Sequence, residues 1–150
     1  MNYEAQYLRY WCGPASIQAA LATLHIKLSQ ETIAASIHVT KKDGTPEEEI
    51  QRGLIAGGAH NIDAWSSRVR HLSVTWLRNH LAKRGPVILC VEHWGHWVTA
   101  IGLVGRDTIQ VWDPGGGRGL VTYSTADLAD TWRLGNHKGG PRYYGVGASL

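Results

Sequence analysis

The spacing of apolar residues changes character at Pro86. Before it, apolar positions recur at helical intervals; after it, they gather in short β-branched runs. Residues 1 to 11 show neither pattern and read as an extended or irregular lead-in. A helix is predicted from about Gly13 to Leu24, with Ile17, Ala20, Leu21 and Leu24 on one inward face. Pro14 suits its first turn, where a missing N–H costs nothing. Ser29 reads as the N-cap of a second helix, Gln30 to Ile37. Lys41 to Gly44 is a turn. Thr45-Pro46-Glu47-Glu48 then predicts a helix start, with Thr45 as cap, Pro46 at the first helical position and a capping box to Glu48. That helix runs to about Ala56, stops at Gly57-Gly58, and leaves Glu47, Glu48, Glu49 and Arg52 on a solvated face. Ile62, Ala64 and Trp65 fit either a short strand or a loop over a functional site. Ser73 predicts the cap of a helix from Val74 to Lys83, ended by Gly85 and Pro86.

Beyond Pro86, Val87 to Val91, Trp97 to Val104 and Thr108 to Trp112 predict three strands of a meander. A loop over Gly115 to Gly119 and a short strand, Leu120 to Tyr123, follow. Ser124 to Leu134 reads as a helix with Ser124 as cap and Asp127 at N3, and Arg142 to Val146 as a last strand. Helices first and strands second is the α+β order. With no repeat, linker or low-complexity segment, residues 1 to 150 read as a single domain.

Composition narrows the function classes. Hydrophobic content of 43% and charged content of 18% are those of an ordinary globular domain. The formal net charge is +3 and no run of basic residues is present, which argues against a nucleic-acid partner. No apolar run approaches the roughly 20 residues that span a bilayer, and no signal peptide is evident, so no membrane role is expected. Two cysteines, Cys12 and Cys90, make no disulfide framework and fit a reducing compartment.

The chemistry gathers around Cys12. Gly-Pro follows it at a helix start, where free backbone N–H groups and the helix dipole favour the thiolate, the nucleophilic form. Gln6 lies six residues upstream, with an amide able to face an oxyanion. Two histidines, His93 and His96, are candidate bases at the head of the strand HWVTAIG. Asp113 ends the next strand, with Pro114 fixing the turn, and is placed to orient an imidazole. His93 and His96 with Cys12 and Asp113 also raise a zinc site, but Gly95 lies within the pair and no helix makes it converge. No metal or organic cofactor is expected. Gly115-Gly116-Gly117 lacks the Lys-Ser/Thr and following helix of a phosphate loop and reads as a flexible loop beside the cleft. Trp11, Trp94, Trp97 and Trp112 flank these residues and are candidate walls of a peptide groove. Cys90, in mid-strand, reads as inert core.

The order Gln, Cys-Gly-Pro, His-Trp-Val, Asp-Pro resembles the papain-like cysteine peptidases. More narrowly, it resembles the bacterial family that cuts double-glycine leaders from bacteriocin precursors, together with its peptidase-like relatives. The resemblance implies a papain-like fold, with a helical lobe carrying the nucleophile and an antiparallel sheet carrying His and Asp. It implies Cys12 as nucleophile, His96 as base, Asp113 as its orienter and Gln6 as oxyanion donor. It also implies a protein or peptide substrate cut after small residues, with Gly-Gly first. Trp11 stands where the family pattern leads one to expect a polar residue, and residues 1 to 150 hold no transporter domain. The chain reads as a domain of a longer polypeptide. It suits a toxin or effector delivered into another cell's reducing cytoplasm, with an immunity protein or inhibitor as a further partner. An amidase, deamidase or acyltransferase using the same nucleophile is the alternative, and a non-catalytic binding module is a third class.

Overall fold

The computed structural model describes residues 3–91, 96–133 and 142–150. Three helices come first: α1 (Cys12–Thr23), α2 (Gln30–Ser36) and α3 (Glu47–Ala56). Then follow β1 (Asn61–Ser67), α4 (Arg70–Lys83), β2 (Val87–Val91), β3 (His96–Leu103), β4 (Thr108–Asp113), β5 (Gly119–Ser124), α5 (Thr125–Arg133) and β6 (Tyr143–Ser149). The fold is α+β. Among the described residues the strands form one antiparallel sheet in the order β1-β6-β2-β3-β4-β5. The expected meander is its β2-β3-β4 part.

The sheet is covered on both faces. Ile88 and Cys90 of β2 pack into a cluster with Ile17 and Leu21 of α1 and with Ile33, Ile50 and Leu54. The alternate residues Val87, Leu89 and Val91 pack with Leu77 of α4 and with Leu128 and Trp132 of α5. Burial on both faces explains why β2 reads as an unbroken apolar run rather than an alternation.

Several local expectations change. α1 is buried on all sides from Gly13 to Leu21, rather than along one face. α3 begins a residue later than expected: Pro46 is the N-cap, in extended conformation, and no side chain caps it. Thr45 is needed elsewhere, since its carbonyl accepts the Trp97 Nε1–H at 3.0 Å. Glu49 is buried rather than solvated; its carboxylate accepts the His38 N–H and pairs with Arg52 Nε at 3.1 Å. α4 starts before Ser73, whose hydroxyl donates to the Val69 carbonyl and accepts from Trp65 Nε1. β1 is a strand at the far edge of the sheet, separated from β3 by β6 and β2, and does not lie over the site. Ser29 and Ser124 do cap α2 and α5, accepting the N–H of Thr32 and Asp127.

Candidate active site

Cys12 is the first residue of α1, partly buried. Backbone N–H groups in a helix's first turn have no acceptor within the helix and form the positive end of its dipole. Gly13 is required by packing: a Cβ there would lie 2.1 Å from Thr45 Oγ1. α1 is strapped to β3 in both directions. Ser16 Oγ donates to the Trp97 carbonyl at 2.9 Å, and Thr99 Oγ1 donates to the Ser16 carbonyl at 2.7 Å. These buried bonds set Cys12, one turn upstream, against the head of β3, where His96 stands.

His96 begins β3 and Asp113 ends β4, the neighbouring antiparallel strand, so both lie at one end of the sheet. His96 Nε2 is 2.8 Å from Asp113 Oδ1. The imidazole is also hydrogen-bonded to the Cys12 side chain, and with Nε2 engaged by Asp113, Nδ1 is the nitrogen left for sulfur. Burial alone pulls the His96 pKa down. Hydrogen bonds with Asp113 and Cys12, and the attraction of their negative charges, outweigh it and push the value up to about 10. Asp113 is buried, at 2% exposure, which by itself raises a carboxyl's pKa. The His96 hydrogen bond, the Gly115 N–H at 3.0 Å, the imidazolium charge and Arg118 Nη1 at 3.3 Å hold it below its usual range instead.

Gln6 reaches the same place from the lead-in. Its backbone N–H donates to the Pro114 carbonyl at 3.1 Å. Its Oε1 and His96 Cε1 lie 3.4 and 3.0 Å from the point a Cβ on Gly115 would occupy. Nε2 donates to the carbonyls of Leu8 at 3.0 Å and Arg9 at 2.7 Å, while Oε1 is buried without a partner among the described residues.

The tryptophans divide. Trp97 is 2% exposed and belongs to the α1 side of the core, so it has no surface to offer a groove. Along a strand, the neighbours of a residue point to the opposite face, and flanking His96 therefore takes Trp97 away from the site. Trp112, beside Asp113 on β4, stacks on Tyr3 of the lead-in, with ring centres 5.4 Å apart. Trp11 is partly exposed next to Cys12, and Trp94 and His93 lie outside the described residues.

Two contributors escape sequence reasoning. Arg118 lies in the loop read as flexible; Gly116 and Gly117 take positive φ there, and its guanidinium donates to Asp113 Oδ2 at 3.3 Å. Gly115 lies in the same loop, and a Cβ there would crowd the imidazole, 3.0 Å from His96 Cε1. The order of glycines after an Asp-Pro is the only sequence signal for either.

The assembly brings together a thiol at a helix start, an imidazole hydrogen-bonded to it and a buried carboxylate on the same imidazole. Solved structures share the fold. A double-glycine motif protease from an AMS/PCAT transporter, in complex with its leader peptide, aligns with TM-score 0.70 at 18% identity, covering 99% of this chain and 90% of that one. The peptidase domain of Streptococcus ComA, a bifunctional ABC transporter of a quorum-sensing pathway, aligns with TM-score 0.73 at 15% identity, covering 99% and 98%. The Streptococcus mutans ComA peptidase domain gives 0.66 at 14% identity over all of both chains. No curated protein matches the sequence. The model of the Peptidase_C39 like family matches residues 1–138. This chain belongs to the Peptidase_C39 like family and is a cysteine peptidase.

Proposed function

We propose that the chain hydrolyses peptide bonds with Cys12 as nucleophile, His96 as base and acid, and Asp113 as orienter. The observation that carries this is an imidazole hydrogen-bonded to both the Asp113 carboxylate and the Cys12 side chain. With His96 already holding its proton at neutral pH, sulfur attacks the scissile carbonyl as the thiolate beside Nδ1–H. Collapse of the tetrahedral intermediate breaks the C–N bond, and the same nitrogen gives that proton to the leaving amine. A water then attacks the thioester, losing a proton to His96, which keeps it as the thiolate and the acid product separate. Asp113 stabilises the imidazolium at each stage and keeps the ring in place.

The oxyanion is bound by the Cys12 N–H and by Gln6 Nε2. Both Nε2 protons are held by neutral carbonyls in this state. A hydrogen bond to a developing oxyanion is roughly twice as strong as one to a neutral acceptor. A bound substrate thus gives Gln6 reason to exchange one carbonyl for the oxyanion. The unpartnered, buried Oε1 supports a rearrangement of this amide, since leaving an acceptor so is unfavourable.

The preferred cut follows small residues, Gly-Gly first. This is supported by the double-glycine protease among the fold relatives and by Trp11 beside the nucleophile. A thiol outside any disulfide at the centre suits a reducing compartment, in keeping with an effector acting inside a cell.

The test is mass spectrometry of peptide ends after incubating the protein, or Cys12→Ala, with a cell lysate. New ends that require Cys12 are expected, with small residues before the cut. No new ends, with Cys12 still rapidly alkylated by iodoacetamide, would replace the peptidase reading with an amidase, deamidase or acyltransferase. Equal cleavage of Gly-Gly, Ala-Ala and Leu-Leu peptides would sink the specificity claim.

A further inference from the structure

Two glutamines far from Cys12 in the mechanism are buried deeply. Gln30, the first residue of α2, is 0% exposed, and Gln18 of α1 is 6% exposed. Gln30 Nε2 donates to the Ala5 carbonyl at 2.8 Å and to Gln18 Oε1 at 3.1 Å, while its Oε1 accepts the Tyr7 N–H at 3.0 Å. Gln18 Nε2 in turn donates to Glu4 Oε1 at 3.1 Å and to the Leu28 carbonyl at 2.9 Å.

The backbone groups held are those around Gln6. The Ala5–Gln6 peptide has its carbonyl on Gln30 and its N–H on Pro114. The Gln6–Tyr7 peptide has its N–H on Gln30. Both peptide planes that meet at the Gln6 Cα are fixed, and with them the direction in which its side chain leaves the backbone. The buttress, Gln18, belongs to the same helix whose first residue is Cys12. Burying an amide is unfavourable unless its donors and acceptors are met. Here each donor and acceptor meets a group that an apolar residue would leave unpaired.

We propose that Gln30, braced by Gln18, is a positioning residue that registers the Gln6 amide against the nucleophile helix. The inference rests on the reading of Gln6 as oxyanion donor. A misplacement of about 1 Å in such a group can cost a hundredfold in rate.

The experiment compares Gln30→Leu, Gln6→Ala and the double variant in the full chain. Hydrogen exchange of the Gln6 and Tyr7 amides is expected to speed up by about tenfold or more in Gln30→Leu, with α1 and β3 amides unchanged. On a peptide the wild type cuts, kcat is expected to fall by about 10- to 100-fold with KM within about threefold. Cys12 alkylation by iodoacetamide, which needs no oxyanion donor, should stay within about twofold. In the Gln6→Ala background, Gln30→Leu should cost no further turnover. The same fold-loss in both backgrounds, unchanged exchange at residues 6 and 7, or a parallel fall in alkylation would overturn the proposal. So would a Gln6→Ala variant with unaltered kcat. If the wild type cuts no peptide, the reading of the site fails, and the clamp is then judged on exchange alone. Should Gln30→Leu not fold, Gln18→Met, which removes the brace, is read in the same way.

Discussion

At the scale of single residues, distance and burial rank the groups around Asp113. His96 is 2.8 Å away with a side chain 21% exposed, whereas Arg118 is 3.3 Å away and 51% exposed. An exposed pair is screened and contributes up to about 1 kcal/mol, while the buried contact is not screened in that way. Asp113→Asn is therefore expected to lower kcat/KM by about 100-fold or more, and Arg118→Ala by less than about fivefold. The pH profile separates the two further. Asp113 helps hold the His96 proton to about pH 10, so its loss moves the alkaline limb of kcat/KM downward. Arg118 helps keep the Asp113 pKa low, so its loss moves only the acid limb, and upward. Profiles shifted alike in both variants would contradict this ranking. Cys12, His96 and Asp113 were legible in the sequence because each marks an element boundary: a helix start, a strand start and a strand end. Arg118 was not legible, because its role depends on a turn whose direction comes from left-handed glycines. Trp97 misled because adjacency along a strand places a side chain on the opposite face from its neighbour.

At the scale of elements, the start of α1 depends on how closely it meets the loop before α3. A Cβ on Gly13 would lie 2.1 Å from Thr45 Oγ1 and 2.4 Å from Thr45 Cβ. Thr45 cannot swing away, because its carbonyl holds the buried Trp97 indole. Elsewhere in a helix, Gly to Ala is favourable by up to about 1 kcal/mol. Here the overlap outweighs that gain, and Gly13→Ala is expected to destabilise the fold by about 1–3 kcal/mol. Urea denaturation would measure it. Thr45→Gly in the same chain should recover part of the loss, and strictly additive costs would show that this contact is not the cause. The same junction explains why the helix start was read one residue early. Thr45-Pro46-Glu47-Glu48 carries a capping-box pattern, but the Thr45 backbone is committed to Trp97, a residue far along the chain. Ser29 and Ser124 have no such competitor and cap as the sequence predicts. Local chemistry decided the helix ends wherever tertiary contacts made no other demand.

At the scale of the whole molecule, the sheet brings the two halves of the chain together in an order that no local pattern carries. β6 inserts between β1 and β2, so the final strand lies next to the first strand of the meander, and β1 becomes an edge. The weak alternation of β1 is what an edge strand half-covered by helices produces, and it left strand and loop equally open in the sequence. That arrangement buries His80 and partly buries His96, with opposite consequences for stability. His80, 4% exposed on α4, has its pKa lowered by burial, against the opposing pull of its Gly85 hydrogen bond and Asp63. His96 has its pKa raised to about 10 by its hydrogen-bonded anions. Below about pH 6.5, the unfolded chain takes up a proton at position 80 that the folded chain refuses, so stability falls as the solution is acidified. Between about pH 6.5 and 10 the folded chain keeps a proton at His96 that the unfolded chain gives up. The His96 contribution is therefore complete below about pH 6.5, declines through that window and is gone above it, with a slope of at most about 1.4 kcal/mol per pH unit. Urea unfolding as a function of pH should show a maximum near the ordinary histidine pKa. Asp113→Asn should flatten the alkaline side and leave the decline below pH 6.5 that belongs to His80. A wild-type profile that is level or rising from pH 7 to 10 would mean that His96 does not hold its proton, and the ion-pair reading of the site would fail with it.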